Sequence, residues 1–254
     1  MTTPLDQLRA DLREAVDPAK AKFLPRFFKT GPGQYAEGDQ FLGVTVPAQR
    51  RIAKAYQTAL TLPDIETLLH SPVHEERLTG LIILVAKYAK GTPEDQKAIY
   101  DLYLANTAHI NNWDLVDSSS EFIVGPYLQD RDKQILLKLA RSESLWERRI
   151  AMLATFHYIK QRDYEWALKI IDILMPDSQD LIRKAIGWML REIGKRDRDV
   201  LVEYLAAHYR TMPRTALRYA TPSSISTCLP APATLPAKSS RRKLPTFRIR
   251  TKCR

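Results

Sequence analysis

The chain has 254 residues, 44% of them hydrophobic, enough for a sizeable core in one large domain or two small ones. No stretch approaches the roughly 18 uninterrupted apolar residues of a membrane span, and the Met1-Thr2-Thr3-Pro4 start carries no basic region followed by an apolar one, so the expectation is a soluble, cytoplasmic protein. The formal charge of +10 points towards nucleic acid, but eight cations lie between Thr221 and Arg254 with no acid among them, which leaves a net +2 on residues 1–220.

Along the chain, helical patterns follow one another, divided by Pro, Gly, Asp and Ser, with no alternating strand pattern. The spacing predicts helices over Glu75–Tyr88, Glu94–Leu104, Lys133–Leu139, Trp146–Ile159, Tyr164–Leu174, Leu181–Ile193 and Val200–Tyr209. Pro47, Pro63 and Pro93 suit first-turn positions, where a missing amide hydrogen is harmless. After Ala220 the composition changes to Pro, Ser, Thr and Arg. The expected division is a helical domain over 1–220 and a disordered basic tail over 221–254, which is either a DNA-binding arm or a non-native, frame-altered end. Both cysteines, Cys228 and Cys253, fall in that tail and offer neither a metal spacing nor a disulfide framework.

A weak repeat runs through the body. Arg77, Trp113, Arg149 and Lys184 recur every 36, 36 and 35 residues, each in a helix with acids nearby. Units of that length match two-helix repeats stacked into an all-α solenoid, with the recurring positions facing one concave groove.

Two tryptophans sit off the apolar stripes of their segments. The stripe over 180–195 runs through Ile182, Ala185, Ile186, Met189 and Ile193, while Trp188 lies among Lys184, Arg191, Glu192 and Lys195. Trp113 and Asp117 are four apart and share a face if their segment is helical. An aromatic ring beside a carboxylate, with a second beside cations, suits a charged ligand. The bland readings are a Trp188 that caps the core edge under Lys and Arg stems, and an Asp117 that is a surface or capping acid. Arg149, next to Arg148, is either tied to acids such as Glu143 or Glu147 or aimed at an external anion such as phosphate. There is no glycine-rich phosphate loop, no Gly-x-Ser-x-Gly elbow and no cluster of ligands at metal spacing, and the five histidines are scattered, so neither metal nor nucleotide cofactor is expected.

Taken together, Phe41-Leu-Gly-Val-Thr-Val-Pro-Ala-Gln-Arg50, His74-Glu-Glu-Arg-Leu78, Asn112-Trp-Asp-Leu-Val-Asp117, Leu145-Trp-Glu-Arg-Arg-Ile-Ala151 and Ile182-Arg-Lys-Ala-Ile-Gly-Trp-Met-Leu-Arg-Glu192 resemble the AlkD-type alkylpurine DNA glycosylases. The resemblance spans about Phe23 to Ala220. It implies a C-shaped, HEAT-like helical-repeat solenoid whose concave groove clasps damaged double-stranded DNA. It also implies excision of cationic purines such as 3-methyladenine and 7-methylguanine without a base-binding pocket. Carried over by motif, the catalytic set is Trp113, Asp117, Arg149 and Trp188, with Arg149, Lys184, Arg191 and Lys195 on phosphates and with neither cofactor nor metal, in a monomer. After Met212-Pro-Arg-Thr-Ala-Leu-Arg-Tyr-Ala220 the chain departs from the family pattern. The rival expectation is a non-catalytic helical-repeat scaffold for protein partners or unusual DNA structures. An Asp117 buried in an ion pair away from both tryptophans favours the scaffold, and a shared open groove favours the enzyme.

Overall fold

The structure is a computed structural model that describes residues 2–221. Its first helices are α1 (Pro4–Glu14), α2 (Pro18–Phe28), α3 (Val46–Tyr56), α4 (Leu62–Leu69) and α5 (His74–Lys90). Then come α6 (Pro93–Ala105), α7 (Trp113–Asp117), α8 (Ser120–Tyr127), α9 (Gln134–Ala140) and α10 (Leu145–Ala154). The last five are α11 (Phe156–Lys160), α12 (Glu165–Leu174), α13 (Asp180–Arg196), α14 (Arg198–His208) and α15 (Arg214–Ala220). Among the described residues the only strand-like contact is an isolated bridge between Gln40 and Val73. The fold is an all-α helical repeat, as the patterning predicts. No described helix is long and apolar enough to cross a membrane. The basic tail lies outside the described residues beyond Thr221.

Helix starts follow from local chemistry. Thr3, Thr61 and Thr92 each cap a helix through a hydroxyl that accepts from the backbone three residues on, while Asp6, Asp64 and Asp95 reach back to the cap amide. Pro47, Pro63 and Pro93 stand in first turns, where the sequence places them. Residues 1–30, for which the patterning named no helix, hold α1 and α2, and α2 carries Pro25 inside it.

The helix expected over Trp146–Ile159 is two. Thr155 separates α10 from α11, and its hydroxyl donates to the Met152 carbonyl at 2.7 Å, an oxygen a continuous helix would claim. Serines end α7 in the same manner. Ser118 donates to the Asp114 carbonyl at 2.7 Å and Ser119 to the Leu115 carbonyl at 2.5 Å, so the Trp113–Asp117 segment is a helix of five residues.

A continuous core runs along the stack. Leu81, Ile83 and Leu84 of α5, Ile150 to Ala154 of α10, and the whole predicted stripe of α13 are sealed from water. Helix α13 is the hub of the C-terminal half, packing on α10, α11, α12, α14 and α15. Its approach to α15 is close enough to require glycine: a Cβ on Gly187 would lie 2.3 Å from the Ala216 carbonyl and 2.4 Å from the Tyr219 Cβ. Gly187→Ala must push α15 away and is expected to destabilise by about 1–3 kcal/mol, as overpacking does. The measurement is the thermal midpoint, and an unchanged value would mean that α15 shifts without resistance.

Candidate active site

The short helix α7 carries the site. The Asn112 side chain, fully buried, accepts from the Trp113 amide at 2.8 Å and caps it. Leu115 and Val116 turn into the core, which leaves Trp113 and Asp117 one turn apart on the partly open side. The Asp117 side chain keeps 18% of its surface.

Arg149 of α10 determines what that carboxylate is. Its Nε donates to Oδ1 and its Nη2 to Oδ2, both at 2.8 Å, the bidentate fork that guanidinium geometry allows. The remaining nitrogen, Nη1, donates to the Leu181 carbonyl in the first turn of α13 at 2.6 Å. One side chain, only 5% exposed, thus pins α7, α10 and α13 together. Burial pushes the Asp117 carboxyl above the usual carboxylate range, and the Arg149 charge and hydrogen bonds offset only part of that rise. Two carboxylate oxygens offer about four acceptor sites, so the fork leaves room for a further cationic or hydrogen-bonding contact.

This arrangement bears on the expectations for the arginine pair. Each nitrogen of Arg149 donates inside the protein, with Asp117 as its charged partner. Neither Glu143 nor Glu147 carries the arginine pair through its carboxylate: Arg148 donates to Asp177 at 2.7 Å and to the Ser142 and Glu143 carbonyls. Arg77, placed in the groove by the repeat, is also buried, and donates to Asp39 at 2.7 Å and to the Ser71 carbonyl.

Trp113 belongs to an aromatic column that the sequence did not reveal. It stacks on Phe28 at 5.5 Å and meets Phe27 edge-on at 5.6 Å, both from the end of α2. Phe28 continues to Phe41 at 5.2 Å and His74 at 4.8 Å. Phe27 is 56% exposed, an open ring beside the indole. Tyr35 packs edge-on against Trp146 at 5.5 Å, and its phenol is pushed up by burial against the opposing effect of the Trp113 side chain. The available signal was the Phe27-Phe28 pair in a segment rich in Lys and Arg.

Trp188 stands in a separate cluster. It is half-buried and meets Phe156 edge-on at 5.7 Å, not Trp113. Lys160 lies over Phe156 at 4.6 Å and over the exposed Phe122 at 5.5 Å, and is paired with Glu121. Leu181, which Arg149 grips, precedes Trp188 by two turns on α13, about 10 Å along the axis. The cations near Trp188 differ in their ties. Lys184 pairs with Asp180 at 2.7 Å and Lys195 with Glu192 at 2.6 Å, while the described residues show no ion pair for Arg191. The structure therefore joins Asp117 and Arg149 directly, sets Trp113 one turn away on the same helix, and reaches Trp188 only through α13. No group of three or more metal-ligating side chains occurs among the described residues.

The sequence matches the model of the DNA alkylation repair enzyme family over residues 8–223, and the chain belongs to that family. Among solved structures it is similar to a predicted DNA alkylation repair enzyme from Enterococcus faecalis, with a TM-score of 0.63 and 19% identity over 81% of this chain and 94% of that one. It is also similar to AlkD2 from Streptococcus mutans, with a TM-score of 0.53 and 15% identity over 78% of this chain and 96% of that one. These likenesses establish the shared fold. No curated protein matches the sequence.

Removing Arg149 would leave Asp117 as an unpaired, largely buried charge. Arg149→Ala is expected to cost about 3–5 kcal/mol at neutral pH. In that variant the penalty should shrink as pH falls and Asp117 takes up a proton. Denaturant titration at several pH values checks both; a pH-independent loss would place the cost elsewhere than in the stranded carboxylate.

Proposed function

We propose that this chain is a monofunctional glycosylase that hydrolyses the N-glycosidic bond of cationic alkylated purines, 3-methyladenine and 7-methylguanine, in duplex DNA and leaves an abasic site. Family membership supports a role in alkylation repair. The observation that carries the finer reading is the Asp117 carboxylate, fixed by Arg149 one turn from Trp113 and still partly open.

Alkylation at N3 or N7 places positive charge on the base, so the leaving group needs no general acid. As the bond breaks, the sugar becomes oxocarbenium-like, and a carboxylate already fixed nearby stabilises the developing charge. Asp117 has that part, and also orients the attacking water. Trp113 and Trp188 present electron-rich faces to the cationic nucleotide, each contributing about 0.5–2 kcal/mol. Lys184, Arg191 and Lys195 contact phosphates and set register in a groove of HEAT-like repeats. The exposed i,i+4 pair Lys184–Asp180 is worth little, so that lysine can exchange its carboxylate for a phosphate at small cost, while the buried Glu192 keeps Arg196 at 2.9 Å when Lys195 does the same. Arg149 acts through Asp117. The protein works as a soluble cytoplasmic monomer, without cofactor or metal, and reads the lesion against the groove without a pocket for a flipped base.

One observation favours the rival reading of a non-catalytic DNA-binding or protein-binding scaffold: both Asp117 oxygens are already engaged by Arg149. Asp117→Asn separates the two. As a glycosylase, the variant should release 7-methylguanine about a hundredfold more slowly in single turnover, with duplex affinity nearly unchanged. Equal rates, or no free methylpurine from the wild type, would leave the scaffold.

A further inference from the structure

Behind Trp113 lies a buried charge network that the glycosylase chemistry does not use. His74, the first residue of α5, is 2% exposed and uses both ring nitrogens: Nε2 lies 2.7 Å from Asp114 Oδ2 and Nδ1 lies 3.3 Å from Asp39 Oδ2. Ionised carboxylates only accept, so an imidazole bonded to two of them carries a proton on each nitrogen. Asp39 is also met by Arg77 at 2.7 Å and by the Asn112 amide at 3.4 Å, so it keeps partners without the histidine. Asp114 has the Leu115 amide at 2.9 Å and, among described cations, only His74 in ion-pair contact. Glu75, next to His74 on α5, accepts from the Leu42 and Gly43 amides and holds the same segment. The imidazole ring lies 4.8 Å from Phe28 and 5.0 Å from Phe41, and Phe28 is the ring on which Trp113 stacks.

We propose that His74, as an imidazolium, is a positioning residue for the site: it fixes the first turn of α7 through Asp114 and the Trp113 indole through Phe28. Its consequence for catalysis rests on the glycosylase reading; the clamp itself does not. Burial works against the charge, and the two carboxylates outweigh it, holding His74 at about 9 against an ordinary 6.5. The folded value is the higher one, so the clamp is complete below pH 6.5 and is lost as pH rises through about 9. Above that, Asp114 loses its cation while Asp39 retains Arg77.

The test uses the whole chain labelled with 5-fluorotryptophan, with the Trp113 resonance assigned from Trp113→Phe, beside a direct titration of the His74 imidazole by NMR. His74 should stay doubly protonated until about pH 9, and Trp113 should shift with the same midpoint. In His74→Gln the Trp113 step should vanish. Single-turnover excision at neutral pH should fall about tenfold with duplex affinity unchanged, as expected of a displaced catalytic group, and the alkaline limb of the wild-type profile at that midpoint should be absent. A His74 that titrates near 6.5, a Trp113 signal indifferent to it, or a variant with the wild-type rate would overturn the proposal. If His74→Gln does not fold, the two wild-type midpoints decide. If the wild type releases no methylpurine, the glycosylase reading fails while those midpoints still test the clamp.

Discussion

A carboxylate largely removed from water must be met by charge, and the way Asp117 is met organises the rest of the site. Had the Arg149 guanidinium turned outward to a ligand, Asp117 would carry a desolvation cost of several kcal/mol with nothing to offset it. Instead the guanidinium matches the carboxylate edge to edge and sends its last nitrogen to a carbonyl of α13. That carbonyl belongs to the first turn, where it already serves the helical ladder, so the third bond is a second contact on a shared oxygen. Its value is geometric: the distance between α7 and α13 is set by the length of one rigid fork.

Helix α7 explains why so much fixing is needed. Five residues close too few backbone bonds to offset the cost of nucleation, so this turn has no stability of its own. Asn112 caps its start, and Ser118 and Ser119 occupy its last carbonyls. Two charged contacts hold it, Arg149 on Asp117 from α10 and His74 on Asp114 from α5. The Phe28 ring fills the space between the second clamp and the indole. A longer helix would have gained rigidity from its own ladder, but it would also have buried or blocked the face that Trp113 and Asp117 share.

The elements legible in the sequence were those governed by neighbours along the chain. Apolar periodicity located most helices from α5 onward, and Pro47, Pro63 and Pro93 marked first turns, because stripes and helix starts act within a turn or two. The break at Thr155 escaped that reading, since a hydroxyl that bonds backward is invisible in a run of good helix formers. At the site, the 36-residue spacing singled out Trp113 and Arg149, and a four-residue step added Asp117. The same spacing also proposed Arg77 for the groove, and wrongly, because its partner Asp39 lies 38 residues earlier in a loop that no periodicity describes. The aromatic column was illegible for a related reason: Phe28 reaches Trp113, with Phe41 and His74 behind it, only through tertiary packing of the end of α2, and Pro25 hides α2 from a helical pattern.

The distribution of charge bears on how a groove of this kind tells one nucleotide from another. Counted over residues 1–220, the body carries only +2, and the lysines of α13 are already neutralised by acids a turn away. Such a body gains little from releasing counterions in the glycosylase reading, and its grip on ordinary duplex DNA is expected to be weak compared with that of a strongly basic surface. In the glycosylase reading, the contacts that respond to damage are of opposite sign: a fixed carboxylate and the faces of indoles favour a nucleotide that has itself become positive. Discrimination then resides in the charge of the lesion, with phosphate contacts supplying register alone. A carboxylate free to rotate would offer that charge no fixed acceptor. Arg149 prevents this by holding both oxygens in one plane while leaving the outer lone pairs for the approaching cation.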